Sequence, residues 1–177
     1  MAMTLITTNT SSGAATSSFT SSIDSTYKLY IFKFIDVNPA TDSTNLTFNG
    51  SVDGGSNYNV TKTTTFFAAT HGEDASSAAL SYFSSADLAQ STDFARICSE
   101  IGNGSDESAA GTLWLFNPSN TTYVKHYYST FQTYLASDKS YNDHTAGYFN
   151  NTDNIDAVQF KMGSGNMDAV IKMYGVG

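Results

Sequence analysis

Period-two alternation of apolar and polar residues, the spacing of a β-strand with one face in a core, recurs along most of this chain. It is densest at residues 27–37 (YKLYIFKFIDV), where Tyr27, Leu29, Ile31, Ile35 and Val37 share one face and Tyr30, Phe32 and Phe34 the other. Both faces are apolar, which predicts a central strand covered on two sides. Asn38, Pro39, Ala40, Thr41 and Asp42 end it with turn chemistry. Residues 45–52 alternate Leu46 and Phe48 with Thr47 and Asn49. The run Asp53-Gly54-Gly55-Ser56-Asn57 then predicts a hairpin turn, because glycine accepts positive φ. Residues 58–70 read as the return strand, with one solvated, threonine-rich face. At the far end, Val158, Phe160 and Met162 alternate with Gln159 and Lys161, and Gly163-Ser164-Gly165-Asn166 turns the chain. Met167, Ala169, Ile171 and Met173 then alternate with Asp168 and Lys172, so 158–173 reads as a second hairpin. Tyr174-Gly175-Val176-Gly177 continues the strand and predicts a C-terminal segment tied into the sheet.

Between these ends, residues 111–116 (GTLWLF) and 122–135 are strands, broken at Asn117-Pro118-Ser119-Asn120. A polar turn covers 136–144 and a short strand 146–150. Residues 71–74 read as a loop, and 75–83 fit either period. Leu88, Phe94, Ile97, Cys98 and Ile101 fall near helical spacing, with Asp93 as a cap and Gly102-Asn103-Gly104 as a stop. A short helix within 87–101, laid over a sheet edge, is therefore expected. Residues 1–18 carry Leu5 and Ile6 ahead of a small polar stretch, and Phe19 follows. This segment is either an edge strand or an extended N-terminal arm, and Leu5, Ile6 and Phe19 are the candidate protein-interface residues. About eight strands and one helical excursion predict an all-β, antiparallel β-sandwich, jelly-roll-like, spanning 1–177 as a single domain.

Composition adds constraints. Aromatics make up 14% of the 177 residues, with 12 Phe and 11 Tyr, which is ample bulk for one core. Charged residues are only 14%, against roughly 25% in ordinary globular domains. Low charge with strong β-propensity invites aggregation unless the sheet edges are covered or paired, and assembly is one way to cover them. The net charge of −8 and the scattered lysines disfavour direct nucleic-acid binding. Cys98 is alone, so neither an intrachain disulfide nor a multi-cysteine zinc site is available. The first residues lack a basic, then apolar, leader pattern. No apolar run approaches the roughly 20 residues of a membrane span, so a chain made soluble in a cytoplasm is expected.

Four stretches resemble a family of virion structural proteins of tailed bacteriophages infecting marine bacteria. They are SSIDSTYKLYIFKFIDVNPATD (21–42), GSVDGGSNYN (50–59), GTLWLFNPSNTTYVKHYY (111–128) and IDAVQFKMGSGNMDAVIKMYGVG (155–177), and the likeness is weakest over 71–110. The resemblance implies a virion component, either a capsid decoration or cement protein bound to the major capsid protein lattice, or a tail or fibre component, including a glycan-binding tip. It carries no catalytic residue across. The implied partners are the major capsid protein and copies of the chain itself, a trimer being one arrangement, with neither nucleic acid nor membrane.

Searching for chemistry turns up only isolated signals. His126 falls with Val124 and Tyr128 by alternation and reads as a partly buried histidine. His71 beside Glu73 and Asp74 has cation-binding groups but no second cluster, and reads as a solvated loop. Asp143-His144 is weaker still. Cys98 reads as a structural buried thiol. Asp36, Asp42 and Asp53 fit no calcium loop and are explained by turn hydrogen bonds. No nucleophile elbow or phosphate loop occurs. Trp114, Tyr123, Tyr127 and Tyr128 could form a sugar-stacking platform, but the apolar run LWLF places Trp114 in the core. The expectation is a non-enzymatic protein without cofactor or metal.

Overall fold

The computed structural model describes residues 2–177. Twelve strands follow in order: β1 (Met3–Ala14), β2 (Ser17–Phe19), β3 (Leu29–Pro39), β4 (Thr44–Ser51), β5 (Lys62–Gly72), β6 (Ala78–Tyr82), β7 (Ala95–Ile101), β8 (Ala109–Phe116), β9 (Lys125–Leu135), β10 (Lys139–Phe149), β11 (Ala157–Met162) and β12 (Met167–Val176). The fold is all-β, and every strand pair is antiparallel. An eight-stranded run, β1-β12-β3-β8-β9-β10-β5-β6, meets a four-stranded run, β7-β4-β11-β2, at β9. The junction is a single residue pair, Ile101 with Leu135. At the other end the Asn9 amide donates to the Ser18 carbonyl at 2.9 Å, so β1 approaches β2. The result is a nearly closed, barrel-like sheet.

Three expectations are corrected, besides the polar turn expected at 136–144, most of which belongs to strand β10. Residues 95–101 form strand β7 rather than a helix, and a 3₁₀ turn at Ser84–Ala86 is the one helical element among the described residues. The apparent helical spacing arose because Ile97, Cys98 and Ile101 are all buried beside a register shift in the β4–β7 ladder, which breaks strict alternation. The two expected hairpins are also absent. β4 pairs with β7 and β11 while β5 pairs with β10 and β6, and β11 pairs with β4 and β2 while β12 pairs with β1 and β3. The glycine-rich turns are real but carry the chain from one run to the other. Gly163 donates to the Asn45 carbonyl (2.8 Å) and Ala40 to that of Asn166 (2.9 Å), so the 163–166 turn is tied to the β3–β4 connection.

The core fills the space between the runs. Phe160 sits in an edge-to-face nest with Phe19, Phe32 and Phe34, centroids 6.1, 5.4 and 4.9 Å away, and stacks against Phe48 at 6.2 Å. Two lysines are buried with them, each as a hydrogen-bond donor to loop carbonyls. Lys62 Nζ donates to the Asp93 carbonyl, and burial pushes its pKa down to about 8. Lys125 Nζ donates to the carbonyls of Asn151 (3.0 Å) and Asp153 (2.5 Å), holding the loop after β10. Lys125→Met should strand both carbonyls in a dry site and lower stability by roughly 2–3 kcal/mol in urea unfolding. An unchanged midpoint would mean that water reaches them.

Candidate functional site

Two surfaces stand out. The first is strand β1, at the edge of the eight-stranded run. Its twelve residues, MTLITTNTSSGA, contain no charge and no proline, the usual devices that keep an edge strand from pairing with another chain. Among the described residues β12 is its only strand partner. Of the candidate interface residues, Leu5 is 50% exposed on this strand, beside Met3 at 49%. Ile6 points the other way and is partly buried against the core. Phe19 is buried at 3%, its ring edge-on to Phe32 at 5.2 Å, so its area is used inside the fold.

The second surface is the outward face of the eight-stranded run. Alternation along β8 sends Leu113 and Leu115 into the core and leaves Trp114 and Phe116 outside, half-buried. Along β9 Tyr127 goes in while His126 and Tyr128 go out. Trp114 is therefore not a core residue, a correction to the reading of LWLF. It stacks on Tyr128 with ring centroids 4.5 Å apart and planes 20° from parallel, and Phe116 stacks on the other flank of Tyr128 at 5.8 Å. Tyr127, from the same expected platform, is buried, its hydroxyl without a partner and its pKa raised by burial. Tyr123 is 71% exposed in the connection before β9.

Opposite Tyr128 in the ladder stands Ala146, with Thr65 beyond it. These small side chains leave a shallow groove of about 360 Å³, walled by Phe116, His126, Tyr128 and Tyr148. Gly147 belongs to its lining, and a Cβ there would meet the Thr63 carbonyl at 2.6 Å and the hydroxyl of the buried Tyr127 at 2.8 Å, so the position has no room for a side chain on its inward side. His144 lies one rung away, stacked flat on Phe67 (4.8 Å, 7°), with Nε2 2.7 Å from Asn142 Oδ1. Period-two alternation over 112–116 and 126–130 carried the signal for this face. It was masked because Leu and Trp are both apolar and the chain gives no sign of which face of β8 is covered.

The remaining candidates are dispersed. His71 lies exposed near the end of β5. Among the described residues no three His, Cys, Asp or Glu side chains converge as a metal site would require. Asp53 accepts from the Ser51 hydroxyl (2.6 Å) and the Asn57 amide (2.7 Å), which hold its pKa down at about 2 within its own turn. Cys98 is buried on β7, 2.7 Å from Thr133 Oγ1. Beside it Asp143 accepts from the Ser99 N–H at 2.7 Å while its second oxygen is buried without a partner, and burial pushes its pKa up to about 7. No helix among the described residues is long and apolar enough to cross a membrane. Comparison with protein-family models, with curated proteins and with solved structures finds no match.

Proposed function

We propose that this chain is a non-catalytic bacteriophage virion protein that decorates the capsid, attaching to the major capsid protein lattice or to its own copies through the β1 edge. The observation that carries the reading is the uncharged β1 edge, which on the side away from β12 has no strand partner among the described residues and meets β2 through the Asn9 side chain. Its backbone donors and acceptors and its exposed Met3 and Leu5 suit strand addition to a neighbouring protein. The two runs are then read as the layers of a jelly-roll-like sandwich, a compact form for a surface clamp. A clamp that binds only the assembled shell stabilises it by mass action.

Copy number tests the placement. Hundreds of copies per particle, in proportion to major capsid protein in quantitative mass spectrometry, are expected, and a dozen or fewer would reject decoration. Leu5→Lys should weaken attachment to purified particles by roughly tenfold while shifting the isolated protein's stability by less than about 0.5 kcal/mol. Attachment unchanged by the lysine would move the interface away from β1. The second reading, a tail or fibre component that grips host glycan, is favoured by the aromatic groove around Tyr128.

A further inference from the structure

The chain is acidic, with 16 Asp and Glu against 8 Lys and Arg, yet the outward face of its eight-stranded run is not. Acids gather at one end of these strands, where Asp36, Asp168 and, in the β9–β10 turn, Asp138 all lie. Away from that end no outward strand position of β12, β3, β8, β9, β10 or β5 carries a carboxylate, and His126 and His144 lie there, while His71 stands at the acidic end. Lys172 and Lys33 face each other directly across the β12–β3 ladder. Their other neighbours on that rung are Thr8 and Thr112, not acids. Like charges directly opposite are destabilising, and a chain with acids to spare has left this pair unneutralised.

The adjoining rung runs Tyr174, Ile31, Trp114, Tyr128, Ala146 and reaches the groove. Its side chains lie roughly 7 Å along the strands from the lysine rung, within reach of a lysine side chain. One rung thus offers aromatic rings and the next offers cations and hydroxyls. We propose that this face binds an acidic oligosaccharide. Sugar rings lie along the rung from Trp114 and Tyr128 into the groove, and a carboxylate is held by Lys33 and Lys172. The aromatic row supplies stacking for the apolar faces of pyranose rings. The charge complementarity is local, so a polyanion as long as a nucleic-acid backbone would meet the surrounding acidic surface and be repelled. The proposal rests on the glycan reading of the groove and is independent of where on a particle the chain sits.

Trp114 is the single tryptophan, so its emission reports on the site directly. The full chain would be titrated with trigalacturonate and with its neutral methyl ester, followed by tryptophan fluorescence and calorimetry. Saturable, salt-sensitive binding of the acid is expected. The double variant Lys33→Gln, Lys172→Gln should lose roughly tenfold in that affinity, with a thermal transition that does not fall and rises slightly as the repulsion is removed, and with unchanged weak binding of the ester. Equal affinity for acid and ester would overturn the anion selectivity while leaving a glycan groove. Binding of neither would overturn both. Tighter binding of a thymidine oligonucleotide, or self-association that quenches Trp114 without any sugar, would assign the face to a different partner and reject the proposal.

Discussion

Phe160→Ala should lower stability by roughly 3–5 kcal/mol, and the transition temperature by about 10 °C. The ring is fully buried on β11 and touches aromatic neighbours from β2, β3 and β4, so both runs lean on it. Truncation removes the transfer energy of a phenyl ring and opens a void that four other rings, three edge-to-face and one stacked, cannot close without leaving their own contacts. Phe160→Leu should recover part of the loss. Thermal or urea unfolding of the pure variants decides it. A loss under about 1 kcal/mol would mean that the nest can collapse and that the runs are not pinned there.

Asp143→Asn should raise stability at pH 8 by several kcal/mol and change little at pH 4. The carboxyl accepts the Ser99 N–H at one oxygen, and burial outweighs that bond and the nearby Cys98 and Arg96, pushing its pKa up to about 7 against an ordinary 3.8. Between those values the folded chain keeps a proton that the unfolded chain has released. Folding therefore takes up a proton, and stability falls as pH rises, by roughly 4 kcal/mol across the window, then levels above about pH 7. Asp53, held down at about 2, acts in the opposite sense, and its contribution is lost only as pH falls below about 4. Lys62, with its pKa pushed down to about 8, adds slope only above that pH. Stability should peak in mildly acidic solution. The amide cannot ionise, so the variant's transition temperature should be nearly flat from pH 4.5 to pH 7.5. Equal gains at pH 4 and pH 8 would refute this account.

What the alternation of residues conveyed was the identity and polarity of most strands, including β3, β9 and both partners of the 163–166 turn. What it could not convey was adjacency. A glycine-rich turn between two alternating segments looks the same whether the second strand folds back beside the first or crosses to the opposite run, and at 53–57 and 163–166 it crosses. The helical misreading of 87–101 has a related cause, because a register shift imitates a change of period. For the candidate surfaces, Leu5 and Ile6 could be singled out as a short apolar pair ahead of a polar segment. Trp114 could not be placed, since its outward position depends on β3 and β9 flanking β8 while no element lies above it. The pairing of Lys33 with Lys172 joins residues far apart in the chain and is legible only once β12 is laid against β3.

That same adjacency governs how the molecule is born. β1 and β3 both pair with β12, formed by residues 167–176, so no early strand of the eight-stranded run finds its neighbour on that side until those residues emerge from the ribosome. Long-range pairing of this kind folds slowly and leaves the apolar 29–39 segment waiting, open to wrong partners. A nascent chain of this design benefits from being shielded until β12 arrives, because an uncharged strand such as β1 is open to wrong partners while its own is missing.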